Sequence, residues 1–209
     1  MKDYINNYPL RNEAELLLQS GHDENPGPWA AHCKITARAA ETVASKCGMD
    51  AERAYISGLL HDIGYSEFRD YKGRSSHIIL GHDRMLCYGY GAIARICLSH
   101  SFPLKNIGAY GGKDTNWSEA EKGNLIQFLS DTDFDDYDKL IQLCDALATA
   151  EGVCLMEKRM MGVVRRHGFS EFTVLKWEAT FALKDYFDDL CGQNIYNFFA
   201  DEMVKNIFS

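Results

Sequence analysis

Six residues of this 209-residue chain have the types and the placement to do chemistry together: His32, the adjacent pair His61 and Asp62, then His77, His100 and Asp145. Imidazole and carboxylate are the donor types that suit divalent metal ions. His32 lies with Ile35, Ala39 and Val43 at helical steps of three and four, so its side chain is expected on a buried face. His100 continues Ile93, Ile96 and Cys97 in the same way, and Asp145, between Ile141 and Ala148, falls on the inward face of LIQLCDALA. A buried carboxylate needs a cation, a proton or several hydrogen bonds. Any one of these histidines alone reads as a satisfied core residue. Four inward histidines and two inward aspartates on separate helices are hard to satisfy pairwise, and one or two divalent metals would satisfy them together. At the end of a helix, with Gly64 to turn the backbone, His61 and Asp62 could reach one ion, and the second oxygen of Asp62 could bridge another.

Helices must position this set. Apolar residues recur at helical spacing along nearly the whole chain, and no alternating run of strand type occurs, so the fold is expected to be all-α. The spacing predicts an amphipathic segment from Asn12 to Leu18, a loop over GHDENPGP, and a helix from Pro28 to about Cys47. A helix capped by Asp50 carries AYISGLLHDIG, and two more run from about Ser76 to Tyr88 and Gly91 to His100. The segment FPLKNIGAYGGKDTN is the longest irregular stretch, and Ser118 with Glu121 fits a capping box after it. Helices are then expected over about Asp136 to Thr149, Gly152 to His167, Ser170 to Leu190 and Ile195 to Ile207. This gives an N-terminal lead-in over 1–27, a metal-binding core over 28–150 and C-terminal helices over 151–209. Trp177, Phe181, Leu183 and Phe187 form the apolar stripe that docks these last helices on the core, a homodimer surface being the alternative.

Composition narrows the function class. With 22 Lys+Arg against 30 Asp+Glu the net charge is −8, which argues against a surface built to grip nucleic-acid backbone. No stretch is apolar for long enough to cross a membrane, and no signal-peptide run follows the N-terminus, so a cytoplasmic location is expected. Seven cysteines, Cys33, Cys47, Cys87, Cys97, Cys144, Cys154 and Cys191, form an odd set with no CxxC pair and read as reduced core thiols.

His32, the sequence GLLHDIG with His61 and Asp62, and Asp145 in CDALA resemble the H…HD…D signature of the HD-domain metal-dependent phosphohydrolase superfamily. HIILGHDRMLCYGYGAIARICLSHSF extends the likeness to branches with two further histidines, over roughly 28–150 in all. The resemblance implies that His32, His61, Asp62 and Asp145 hold a first metal, with Asp62 bridging to a second held by His77 and His100. The ion would be Mn, Fe, Co, Ni, Zn or Mg, and Asp62 and Asp145 would serve catalysis on a small phosphorylated metabolite or nucleotide. His82 ranks below His77, since it stands where the pattern has a small residue. The GYP extension is missing and HSF replaces a double histidine, which puts cyclic dinucleotide hydrolysis in doubt.

Phosphate needs positive partners beyond metal, and Lys72, Arg74, Lys105, Lys158 and Arg159 are the candidate substrate-binding residues by their closeness to the ligands in sequence. Tyr110 and Trp117 read as packing residues that could instead stack on a base, and His22 and His167 as surface residues. Two other classes share the same residues. A mixed-valence di-iron oxygenase of the same superfamily uses four histidines and two aspartates, and a non-catalytic protein could bind metal or nucleotide without turnover.

Overall fold

The computed structural model describes residues 6–67, 76–111 and 116–206. Among them are ten α-helices and no strand: α1 (Arg11–Glu24), α2 (Pro28–Lys46), α3 (Ala51–Leu60), α4 (His77–Cys87), α5 (Gly91–Ser99), α6 (Glu119–Asp131), α7 (Asp136–Leu147), α8 (Met156–His167), α9 (Thr173–Cys191) and α10 (Ala200–Asn206). Short 3-10 turns at Ile63–Glu67, Ile107–Ala109 and Ile195–Phe199 join them. The all-α expectation holds. The signals that start the helices are local: Pro28 opens α2, Asp50 accepts from the amides of Glu52 and Arg53, the Ser118–Glu121 box caps α6, and Asp135 caps α7.

The first helix runs further than the spacing predicts. It continues through Gly21, His22, Asp23 and Glu24, and stops only where Asn25 precedes Pro26. Gly21 is retained inside it because α1 lies tight on its neighbours: a Cβ there would stand 3.0 Å from Ile63 and from Ser66.

Three apolar clusters hold the helices. One gathers α1, the first half of α2, α3 and α5 around Leu18, Cys33, Leu60, Ile63 and Ile93. A second joins the later part of α2 to α7 and the C-terminal helices around Val43, Leu140, Leu143, Leu147 and Phe187. The third packs α4, Phe102 and Trp117 against α6. Phe187 is wholly buried, and Trp177, Phe181 and Leu183 pack beside it, so the apolar stripe of α9 covers the core.

Cysteine usage corrects the sequence reading. Cys47 and Cys191 form a disulfide 144 residues apart, with Cα atoms 4.6 Å from one another, and only Cys33, Cys87, Cys97, Cys144 and Cys154 are free. The two residues end α2 and α9, which finish side by side. Nothing in the spacing of two cysteines so far apart could announce that contact.

Two polar features fix the centre. The Asp138 carboxylate, fully buried on α7, accepts hydrogen bonds from the Arg95 guanidinium and, at 2.6 Å, from the Ser99 hydroxyl, while Gln142 donates to the Ser99 carbonyl. This network ties the end of α5, just before His100, to the helix that carries Asp145. Gly64, expected to turn the backbone, has a different task. A Cβ there would lie 1.9 Å from the carbonyl oxygen of His77 and 2.5 Å from the amide of Gly81, so glycine is what lets the start of α4 press on the His61–Asp62 turn.

Two outcomes follow. Gly64→Ala is expected to lose about 3 kcal/mol or more of stability in urea denaturation, the upper end of overpacking, because the obstacle is backbone. Thiol titration in denaturant should count five reactive cysteines before reduction and seven after.

Candidate metal centre

Five segments deliver the six residues. His32 comes from the first half of α2, His61 and Asp62 from the end of α3, His77 from the first residue of α4, His100 from the end of α5 and Asp145 from the last turn of α7. His32, His61, Asp62, His77 and His100 are buried, and Asp145 keeps 29% of its side chain exposed. It is therefore the ligand candidate that an incoming molecule can touch.

Asp62 stands at the middle. Its Oδ2 lies 4.0 Å from His32 Nε2 and 3.5 Å from His61 Nε2, while its Oδ1 lies 3.2 Å from His77 Nε2 and 3.3 Å from His100 Nε2. Each oxygen thus faces its own pair of imidazoles. Asp145 Oδ1 closes the first group, 3.0 Å from His32 Nε2. Ligands about 2.0 to 2.2 Å from a common ion stand roughly 3 to 4 Å from each other, which is the spread seen here. Potential ligand atoms of His32, His61 and Asp62, of His61, His100 and Asp145, and of Asp62, His77 and His100 each fall within 4.8 Å of one another.

The outer nitrogens set which atom faces inward. His61 Nδ1 is 2.8 Å from the Gly58 carbonyl and His100 Nδ1 is 3.2 Å from that of Ile96. A carbonyl can only accept, so both Nδ1 atoms carry the proton and both Nε2 atoms present a lone pair to the centre. His77 shares a hydrogen bond with the Tyr110 hydroxyl at 3.1 Å, and the Tyr65 ring stacks on it with centroids 4.3 Å apart. His61 Nε2 is buried and has no hydrogen-bond partner. Such an atom is costly in the free protein, and a cation answers it.

Protonation matches that role. Burial pushes the His61 imidazole down to about 4, outweighing the pull of Asp62, so it stays neutral near pH 7. Burial alone would raise both carboxyls, yet the imidazoles overcome it. The neighbouring His61 and His77 rings, and then His100, hold Asp62 well below the usual range, and His32 does the same for Asp145. Neutral imidazoles and ionised carboxylates are the forms that bind metal without first losing a proton. The residues present therefore fit one or two divalent ions.

A cavity of about 330 Å³ leads away from Asp145, walled by α8, α9 and the segment around Tyr110. Of the proposed substrate-binding residues, Arg159 lines it, with Nη2 3.9 Å from Asp145 Oδ1. Lys105 does not: its ammonium donates to the Thr132 carbonyl at 2.7 Å and lies over the Phe134 ring, because the chain turns away after His100. Lys158 points outward from α8 and donates to the Asn206 carbonyl. Lys72 and Arg74 lie outside the described residues. Trp117 donates to Ser76 and packs in the third cluster, whereas Tyr110 lines the cavity as well as touching His77. His82 pairs with Asp83 and faces a separate groove between α4 and α6. His167 is exposed at the cavity rim. Sequence reasoning missed Lys176, which lines the cavity from α9 and whose pKa burial lowers. Its neighbours one turn away include Thr173 and Thr180, so nothing in the sequence singled it out.

Comparison with known proteins gives the same region. The family model "HD domain" matches residues 29–150, more than half of the chain. A 68-residue stretch is 35% identical to Ribonuclease Y of Mycoplasma capricolum subsp. capricolum, covering 32% of this chain and 13% of that protein. No solved structure matches.

Metal analysis separates the two groups. Protein loaded with Mn²⁺ is expected to hold two ions per chain, His77→Ala to hold one, and Asp62→Ala to lose both. Saturation at 100 times Kd should add about 2.7 kcal/mol per bound ion to wild-type stability and nothing to Asp62→Ala.

Proposed function

Since the chain belongs to the HD domain family, we propose that it is a metal-dependent phosphohydrolase that cleaves the phosphoester of a small phosphorylated metabolite or nucleotide. The observation that carries this reading is Asp62, whose two oxygens each face a pair of imidazoles, in a cluster whose Asp145 opens on a cavity. A divalent ion held by these residues would supply an acidified water and polarise a phosphoryl oxygen.

The chain's own residues do the rest. Asp62 fixes the imidazole pairs relative to each other. Asp145, ionised and open to the cavity, accepts a hydrogen bond from the attacking water and orients its lone pair toward phosphorus. His32, 3.0 Å from Asp145, keeps that carboxylate from rotating. In the reaction, water oxygen bonds to phosphorus as the ester P–O bond breaks, and the water protons pass to the departing alcohol and the medium. Burial of the imidazoles keeps bulk water off the ligand nitrogens.

Similarity to a segment of a ribonuclease supports phosphoester chemistry at a site of this type, but the net charge of −8 and the small cavity favour a small ester over an RNA backbone. Phosphate release from a panel of nucleotides and phosphomonoesters with Mn²⁺, Co²⁺, Mg²⁺, Ni²⁺ or Fe²⁺ tests the reading. Asp62→Ala should lose at least about 1,000-fold in rate, in line with losing the group that a metal site is built on. Equal rates in wild type and variant would overturn it. Anaerobically purified protein that holds an iron pair, consumes O₂ and releases no phosphate would assign the centre to oxygenase chemistry instead.

A further inference from the structure

The cavity that opens at Asp145 is lined by both cationic and apolar side chains. At the metal end stand two cations from the C-terminal helices, Arg159 of α8 and Lys176 of α9. The same wall carries the apolar Met160, Val163, Phe172 and Trp177, with polar Ser170, Thr173 and Thr180 among them. Arg159 and Lys176 flank the ligand cluster from two directions. Arg159 Nη2 is 3.9 Å from Asp145, and Lys176 Nζ donates at 3.3 Å to the carbonyl of Ser101, the residue after His100.

Neither cation is fully answered by protein. Arg159 Nε is buried and has no hydrogen-bond partner, and among the described residues the guanidinium has a carboxylate only at the long distance to Asp145. Lys176 has a hydrogen bond to a neutral carbonyl and no ion pair among the described residues. A buried donor left without a partner costs free energy, and two cations held close together repel each other, so an anion stabilises both. Once a divalent ion offsets Asp62 and Asp145, the metal end of the cavity is net positive, and only an anionic ligand balances it.

We propose that Arg159 and Lys176 form a phosphoryl-binding subsite next to the metal ligands, and that the ligand is a phosphate monoester carrying a single flat, apolar group lodged against Phe172 and Trp177. Its charged end matches a planar guanidinium and a point-charge ammonium. Its organic end is set by the aromatic wall and by a volume of about 330 Å³, near the small limit for ligand pockets. A single ring system fits, and a dinucleotide or a polymer does not.

This substrate class rests on the phosphohydrolase reading, but binding tests it without turnover. The probes are phenylphosphonate and methylphosphonate, which carry the dianion and cannot be hydrolysed as esters, titrated calorimetrically into Mn²⁺-loaded protein. Phenylphosphonate should bind at least tenfold tighter than methylphosphonate, and Arg159→Gln and Lys176→Met should each weaken phenylphosphonate at least tenfold with metal content unchanged. Lys176→Arg, which keeps the charge, should recover most of the affinity. Unchanged binding in both charge-removing variants would overturn the subsite, and equal binding of the two phosphonates would overturn the apolar half, even if ester hydrolysis is found. Conversely, tight phenylphosphonate binding that depends on both cations, in a protein that hydrolyses no ester, would sustain the subsite and defeat the hydrolase reading.

Discussion

The structure depends on one buried carboxylate that has to be satisfied from two sides. Asp62 is buried at the end of α3, and four imidazoles from four segments are turned toward it, two to each oxygen. An ionised carboxylate in that setting is far too costly without cations or donors. For His61 and His100 the fold fixes the outer nitrogens on backbone carbonyls, which leaves their inner nitrogens as lone pairs rather than donors. At those two rings acceptors face an acceptor, and a divalent cation is what would make the arrangement favourable.

Holding such an arrangement needs stiffness from elsewhere. The Arg95–Asp138–Ser99–Gln142 network locks α5 to α7, and so sets His100 relative to Asp145 with groups that do not touch the centre. Gly64 allows α4 to approach so closely that His77 enters the site from its first helical residue. Tyr65 and Tyr110 then grip the His77 ring, one by stacking and one by a hydrogen bond. Ligand positions within a few tenths of an ångström are thus inherited from backbone packing, not from the ligands themselves.

Much of this was legible in the residues, because a helix writes its inward face into the sequence every three or four positions. His32 beside Ile35 and Ala39, and Asp145 between Ile141 and Ala148, declared their direction that way, and capping residues such as Asp50 and Ser118 marked starts. Contacts between helices leave no such record. The joining of Cys47 to Cys191 depends on where α2 and α9 end in space, and the close approach at Gly64 looks, in sequence, the same as a glycine that turns the chain. Lysines near the ligands in sequence were equally uninformative: Lys105 and Lys158 are turned elsewhere by the chain path, while Lys176, 31 positions after Asp145 by residue number, reaches the cavity because α9 folds back over α7.

That last contrast separates two tasks along the chain. The six candidate ligands all lie within residues 29–150, the stretch that matches the HD domain model, whereas most of the cavity wall comes from α8, α9 and the segment between them, beyond it. Ligand positions are constrained from every side by buried neighbours, so few substitutions there are tolerated. The residues of α8, α9 and the segment between them face open space on one side, and changes in Arg159, Phe172, Lys176 or Trp177 alter what fits without moving a ligand atom. A fold arranged like this keeps one metal centre while the recognition of its substrate is set by helices that only lean on it, which is why the ligand set identifies the family but the C-terminal helices have to be read for the substrate.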